Sequence, residues 1–126
     1  MKPVVLLVED NEETRDMYRV ALCRSGYGVR EAADGEEGVR LARLHRPALV
    51  VMNVALPVLD GWSATVRLKS DPETAAIPVI ILSGLTAPDD HERSSSSGCD
   101  AYLDKPLEPS RLVEAVRKWI PLETGR

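Results

Sequence analysis

The chain has little cysteine, and its two cysteines are not arranged to bind a metal. Cys23 and Cys99 stand far apart, and neither belongs to a Cys-x-x-Cys or closely spaced Cys–His pair. Zinc sites need closely spaced sulfur and imidazole ligands, so the sequence predicts no zinc centre. The sequence leaves open one disulfide between these residues, but we expect two half-buried thiols in a reducing cytoplasm.

Long apolar runs are also missing. No segment approaches the roughly 20 apolar residues that a membrane helix requires. The apolar run Val4–Val8 near the start is too short for the apolar region of a signal peptide, and Glu9 and Asp10 follow it directly. We therefore expect a cytoplasmic protein that does not associate with membranes.

The sequence has no concentration of basic residues. Its 16 basic and 20 acidic residues give a net charge of −4, and the basic residues are spread along the chain. Proteins that bind nucleic acid through its phosphates need a concentrated basic surface. The sequence thus predicts no direct contact with nucleic acid.

The chain does contain an alternation of apolar and helical segments. Its 126 residues, of which 44% are hydrophobic and 29% charged, are typical of one globular domain. Wholly apolar strands that alternate with helices predict an α/β fold, a parallel sheet covered on both faces. The predicted strands are Val4–Val8, Gly28–Ala32, Ala48–Met52, Pro78–Leu82 and Ala101–Leu103. The predicted helices run from Asn11 to Gly26, from Asp34 to Pro47, over Trp62–Lys69, from near Pro88, and over Ser110–Ile120.

Some predictions concern side chains within these elements. Met17, Val20, Ala21 and Arg24 follow one another at helical spacing in the first helix, and we expect Met17 and Met52 in the core. Four consecutive serines, residues 94–97, end the fourth helix, and serine is a mediocre helix former, so we expect a frayed end there. His45 and His91 are predicted to be surface histidines, and Trp62 and Trp119 to anchor helices or mark contact area.

Polar side chains follow four of the predicted strands. They are Glu9 and Asp10 after the first strand, Asn53 after the third, Ser83 after the fourth, and Asp104-Lys105-Pro106 after the fifth. Parallel strands bring their carboxyl ends to one edge of the sheet, where ligands of such folds bind. Carboxylate and carbonyl oxygens suit Mg²⁺, and a lysine beside a hydroxyl suits a phosphoryl group.

The sequence around these positions resembles the receiver domain of bacterial response regulators. Four segments carry the resemblance, in the order and at the spacing of that family: 8–11, 53–61, 82–84 and 102–106. The resemblance implies a flavodoxin-like (βα)5 fold with strand order 2-1-3-4-5. It also implies that the receiver domain occupies residues 1–121, with residues 122–126 as a C-terminal tail or the start of a linker.

The resemblance assigns a metal site to one group of residues. Asp10 would bind Mg²⁺ directly, Glu9 largely through water, and the backbone carbonyl of Ala55 would be a further ligand. Asn53 stands at the phospho-acceptor position and would be a further, weaker ligand of this metal.

A second group would bind the phosphoryl group and respond to it. Ser83 would donate to a phosphoryl oxygen, Lys105 would pair with the phosphoryl charge, and Gly84 would leave room for it. Tyr102 matches the aromatic whose rotamer follows the movement of Ser83, and the bond before Pro106 is expected to be cis.

The resemblance further implies a signalling module without catalytic turnover. Its partners would be a histidine kinase or phosphotransfer protein, and an output protein that binds the face formed by helix four, strand five and helix five.

The sequence departs from the family at Asn53, where the phospho-accepting aspartate belongs. An amide is uncharged and a poor nucleophile, so aspartyl phosphorylation at this residue is expected to be blocked and Mg²⁺ binding weakened. The substitution is either natural, in an atypical receiver, or engineered, and the sequence does not discriminate between the two. The alternative function is a pseudo-receiver that binds a partner constitutively.

Enzymes on similar sheets lack support in this sequence. A phosphatase of the haloacid dehalogenase type requires Asp-x-Asp after the first strand, where this chain has Glu9-Asp10-Asn11. The Gly-x-x-x-x-Gly-Lys-Ser/Thr loop of nucleotide hydrolases is absent. A flavodoxin would need a hydroxyl-rich loop in place of these acids.

Overall fold

The protein is a five-stranded parallel sheet with helices on both faces. The computed structural model describes residues 2–84 and 88–122. The strands are β1 Val4–Val8, β2 Gly28–Ala32, β3 Leu49–Asn53, β4 Val79–Ser83 and β5 Ala101–Asp104. The helices are α1 Glu12–Arg24, α2 Gly35–His45, α3 Gly61–Ser70, α4 Pro88–Ser96 and α5 Pro109–Trp119. The strand order β2-β1-β3-β4-β5 confirms the predicted doubly wound topology.

Alternate residues of the central strands enter two separate cores. Leu6 and Val8 of β1 pack on the side covered by α2 and α3, whereas Val5 and Leu7 pack on the side covered by α1 and α5. Successive side chains of a strand point to opposite faces, so a strand buried on both sides must be apolar throughout. This is why the apolar runs identified the central strands.

The helices that follow β1, β2 and β3 begin at capping side chains. Asn11, Asp34 and Asp60 each accept a hydrogen bond from the backbone N–H three residues ahead, at 2.9, 2.8 and 2.8 Å respectively. Such caps satisfy backbone groups that the helix leaves unpaired. They hold the amino ends of α1, α2 and α3 at the edge of the sheet where β1, β2 and β3 end.

The inner face of α1 differs from the predicted one. Tyr18 and Leu22 are buried, whereas Met17 is 45% exposed and Val20 is 37% exposed, so the prediction of Met17 as a core residue is wrong. Tyr18 also donates a hydrogen bond from its hydroxyl to the carbonyl of Leu107, 3.0 Å away. The larger apolar pair, Tyr18 and Leu22, therefore turns inward. The prediction for Met52, which is fully buried, is confirmed.

The two faces of α1 predict different costs of truncation. Leu22→Ala is expected to lower the free energy of unfolding by about 3 kcal/mol, because it removes a buried side chain and leaves a cavity. Met17→Ala, the control on the same helix, is expected to change it by less than ~0.5 kcal/mol. Urea denaturation followed by circular dichroism measures both. Equal losses for the two variants would contradict this orientation of α1.

Three strands, β3, β4 and β5, extend one residue beyond their predicted ends. Asn53 is the last residue of β3, paired with Leu82, and Ser83 is the last residue of β4, paired with Asp104. β3 and β4 also begin one residue later than predicted, at Leu49 and Val79. Asn53 and Ser83 are thus held by the sheet rather than by a loop.

Neither cysteine is in a disulfide. The thiol of Cys23 is exposed and that of Cys99 partly buried, so only Cys99 matches the expected half-burial. Burial raises the pKa of the Cys99 thiol, which keeps it protonated.

None of the helices within the described ranges is both long and apolar enough to cross a membrane. Leu122, the last described residue, packs against the core on the α1 and α5 side. Residues 123–126 of the predicted tail lie outside the described part of the chain.

Candidate functional site

The carboxyl ends of three strands and the residue after β5 meet at one edge of the sheet. Glu9 directly follows β1, Asn53 ends β3, Ser83 ends β4, and Lys105 directly follows β5. Glu9, Asn53 and Ser83 are buried, with 3%, 6% and 2% of their surface exposed. Polar side chains are seldom buried without partners, so their contacts indicate what the site is built to do.

The carboxylate of Glu9 is the centre of this cluster. It accepts hydrogen bonds from the Asn11 backbone N–H at 3.0 Å and from the Lys105 ammonium at 3.1 Å. The Asn53 amide nitrogen lies 3.5 Å from the same carboxylate. Lys105 is therefore the counter-charge of Glu9 in this arrangement.

The Asn53 side chain donates to oxygen atoms on two sides. Besides Glu9, its amide nitrogen donates to the backbone carbonyl of Ala55, at 3.1 Å. These are two of the oxygens that the resemblance assigned to Mg²⁺. The amide hydrogens thus interact with oxygens that the resemblance assigns to a cation.

The remaining predicted residues lie around this cluster. The Lys105 backbone N–H donates to the carbonyl of Ser83 at 2.8 Å, which joins the ends of β4 and β5. Gly84 and Asp10 are exposed at the same edge, and the Lys105–Pro106 peptide bond is cis, as the resemblance implied. Tyr102 is 37% exposed and packs against His91 of α4.

The donor chemistry of the site fits a hard divalent cation. Glu9 and Asp10 supply carboxylates and Ala55 a carbonyl, the oxygen donors that Mg²⁺ prefers. Among residues 2–84 and 88–122, however, no group of three or more His, Cys, Asp or Glu side chains is placed to hold a metal ion. The anionic part of the donor set is limited to two carboxylates.

The Glu9–Lys105 pair, in which the carboxylate is buried and the lysine partly exposed, predicts a stability effect. Lys105→Ala is expected to destabilise the fold by about 2 kcal/mol, because it leaves the Glu9 carboxylate buried without a counter-charge. Adding Glu9→Gln to Lys105→Ala removes that charge and should recover at least half of the loss. A double-mutant cycle in urea tests the coupling. Additive losses would contradict a direct pairing of these two side chains.

The sequence interpretation missed three contacts near this edge. Arg15 donates to the Glu9 carbonyl at 2.9 Å and lies 3.4 Å from Glu31, which joins α1 to the ends of β1 and β2. His91, predicted to be an ordinary surface histidine, contacts Asp104 as well as Tyr102. For Arg15, the only hint in the sequence was its position in the predicted first helix, close to the acidic residue Glu9. For His91, no neighbouring residue in the sequence indicated its contacts.

The third missed contact packs the serine run onto α3. Ser94 and Ser97 are buried, and the Ser94 hydroxyl accepts a hydrogen bond from the Trp62 indole N–H at 2.9 Å. The Arg93 guanidinium lies 4.0 Å from the centre of the Trp62 ring. The expected frayed end of α4 was therefore wrong. Trp62 anchors α3 to α4, whereas Trp119 is exposed.

Fold and site together define an α/β domain of the CheY-like type, with a polar cluster at the carboxyl ends of its strands. The chain belongs to the response regulator receiver domain family, whose model matches residues 5–117.

Similar proteins come from several bacteria. The polar-differentiation response regulator DivK of Brucella anthropi is 37% identical over 120 residues, which cover 95% of this chain and 98% of that protein. The receiver domain of the sensor histidine kinase PA1611 of Pseudomonas aeruginosa has a TM-score of 0.89 and 33% identity, over 97% of this chain and 100% of that one. That structure holds a magnesium ion in its active-site cleft. The chemotaxis response regulator CheY4 of Vibrio cholerae has a TM-score of 0.88 and 26% identity, over 95% of this chain and 100% of CheY4.

Proposed function

We propose that this chain is a receiver domain of two-component signalling in which Asn53 occupies the phospho-acceptor position and prevents aspartyl phosphorylation. The carrying observation is the place of Asn53, buried at the end of β3 within hydrogen-bonding distance of Glu9. An acceptor must sit beside the cation ligands and the lysine, and Lys105 contacts the same carboxylate. The test is to restore aspartate at residue 53 and measure phosphoryl uptake.

In this proposal each residue of the edge has one task. Glu9, Asp10 and the Ala55 carbonyl are the ligands of Mg²⁺, with Asn53 as a weak fourth. Ser83 and Lys105 bind phosphoryl oxygens, Gly84 leaves space for them, and Tyr102 with the cis bond before Pro106 completes the switch region. When bound, Mg²⁺ supplies the positive charge that balances charge on phosphoryl oxygens.

Metal affinity is expected to depend on residue 53. Asn53→Asp should bind Mg²⁺ about tenfold or more tightly than the parent chain, because a third carboxylate joins the ligands and the amide donor is removed. Isothermal titration calorimetry measures both constants. Adding Glu9→Gln to Asn53→Asp should abolish the gain. Equal affinity of the parent and Asn53→Asp would contradict this ligand assignment.

Receiver domains interact with histidine kinases and output proteins. We infer that a histidine kinase or phosphotransfer protein meets this chain at the edge that holds Asn53. The output partner binds the face of α4, β5 and α5, and the domain takes no part in catalytic turnover or nucleic-acid contact. It occupies residues 1–121 in the cytoplasm, and residues 122–126 are a tail or the start of a linker, although Leu122 itself packs against the core.

A second candidate is a pseudo-receiver that binds its partner constitutively. Two contacts favour it: the Lys105 ammonium balances Glu9, and the Asn53 amide satisfies the Ala55 carbonyl. Because the charges and polar groups at this edge of the sheet are already paired with one another, the domain can keep a single conformation without a phosphoryl group. Partner binding that is equal in the parent and in phosphorylated Asn53→Asp would favour this candidate.

A further inference from the structure

We propose that His91 is a positioning residue that holds the Tyr102 ring at the α4–β5 surface and thereby sets the surface offered to a protein partner. The partner's use of this face rests on the proposed function. The placement of the ring by His91 rests only on the contacts described below.

One imidazole contacts two side chains of β5. The His91 Nε2 atom lies 3.3 Å from a carboxylate oxygen of Asp104, and the His91 and Tyr102 ring centres are 5.4 Å apart with planes tilted by 41°. Alternate residues of a strand point to the same face, so Tyr102 and Asp104 both face α4. Because the carboxylate can only accept, Nε2 is the donor, and this bond fixes the plane of the imidazole against which Tyr102 packs.

The end of β5 is held on two sides by consecutive residues. Asp104 faces α4 and pairs with His91, while Lys105 pairs with Glu9 at the end of β1. The Lys105 backbone N–H also donates to the Ser83 carbonyl. The orientation of Tyr102 and the polar edge of the sheet are therefore connected through two adjacent residues.

The contact involves exposed groups, which is why a small change can release it. The side chains of His91 and Asp104 are 45% and 58% exposed, and a hydrogen bond between such exposed side chains is weak on its own. Tilted aromatic pairs at this separation add a second weak attraction. Both act on the same imidazole, and both are lost when it is removed, whereas the buried cores on either side of the sheet are untouched.

The chain supplies its own controls. Its other two tyrosines, Tyr18 and Tyr27, are buried and donate to the carbonyls of Leu107 and Ile120. Its other histidine, His45, is exposed at the end of α2. A change confined to Tyr102 is thus separable from a change of the whole fold.

The experiment is fluorine NMR of the full chain labelled with 3-fluorotyrosine, without metal or phosphodonor. His91→Ala is expected to move the Tyr102 resonance by more than its line width and to increase its broadening by a soluble paramagnetic agent. The Tyr18 and Tyr27 resonances should stay in place, and His45→Ala should change none of the three. His91→Phe retains a ring but cannot donate to Asp104, so its Tyr102 resonance should lie between those of the parent chain and His91→Ala.

Three outcomes overturn the proposal. They are an unchanged Tyr102 resonance in His91→Ala, a movement of all three tyrosines, which means a general loss of structure, and a resonance in His91→Phe that matches His91→Ala. Because no phosphoryl group is used, these outcomes are independent of the phosphorylation test at residue 53. A failure of that test leaves the His91–Tyr102 measurement unaffected.

Discussion

Asn53→Asp is expected to change the chain from one that takes up no phosphoryl group at residue 53 into one labelled nearly stoichiometrically by acetyl phosphate and Mg²⁺. The restored carboxylate oxygen attacks phosphorus, the bond from phosphorus to the acetyl oxygen breaks, and acetate leaves. The parent amide carries no charge and is a poor nucleophile, so the same step is blocked. Intact-protein mass spectrometry measures the added phosphoryl group.

The chain offers a matched control for this experiment. Asn11 is the only other asparagine, and it caps α1 close to Glu9. Asn11→Asp adds the same charge and preserves a capping side chain, since aspartate caps helices as well as asparagine does. It is expected to leave the chain unlabelled. Equal labelling of the parent, or labelling of Asn11→Asp, would show that residue 53 is not the acceptor position.

The largest expected loss of stability comes from Gly61→Ala. Gly61 opens α3, and a Cβ atom there would lie 2.0 Å from the backbone oxygen of Asn53 and 2.8 Å from its carbonyl carbon. Backbone at the end of a central strand cannot move aside as a flexible side chain can. We expect a loss of at least about 3 kcal/mol in the free energy of unfolding, the upper range for overpacking.

Gly84→Ala is the control for the glycine substitution itself. Gly84 lies at the end of the neighbouring strand, where the nearest atom to an added Cβ would be the Lys105 Cβ, at 3.9 Å. That is an ordinary van der Waals distance, so Gly84→Ala should change the free energy of unfolding by less than ~1 kcal/mol. Urea unfolding monitored by circular dichroism compares the two variants. A Gly61→Ala protein as stable as Gly84→Ala would contradict the close approach of α3 to the end of β3.

The sequence was sufficient for the sheet because burial on both faces demands apolar strands. β1, for example, is apolar at every position and is buried on both sides, and its boundaries were predicted correctly. The inner face of α1 was not predicted, since Met17 with Val20 and Tyr18 with Leu22 both satisfy helical spacing. Which pair faces the core depends on the β5–α5 loop, where the Leu107 carbonyl accepts a hydrogen bond from the Tyr18 hydroxyl. These two residues are 89 positions apart in the sequence.

The location of the site followed from one rule, but its internal pairing did not. Parallel strands bring their carboxyl ends together, which was enough to group Glu9, Asn53, Ser83 and Lys105. Whether Lys105 reaches Glu9 or Asn53 depends on side-chain placement within a few ångströms, and it pairs with Glu9. Local patterns carry no information about such distances.

The same limit explains the errors on α4. Its serines looked like a frayed end because helix propensity is a local quantity. Ser94 is instead buried, and its hydroxyl accepts a hydrogen bond from the indole N–H of Trp62, 32 positions away in the sequence. His91 likewise has its partners on β5, so its role could be identified only after α4 and the sheet were placed together.

The central claim is that residue 53 sits at the acceptor position of an otherwise intact receiver site. A crystal structure of Asn53→Asp with Mg²⁺ and beryllofluoride tests it most directly, since beryllofluoride binds a carboxylate as a phosphoryl mimic. We expect beryllofluoride on the carboxylate of residue 53, with the Ser83 hydroxyl and the Lys105 ammonium at its fluorine atoms and Mg²⁺ against Glu9 and Asp10. Beryllofluoride bound elsewhere, or a bare carboxylate at residue 53 under saturating conditions, would contradict it.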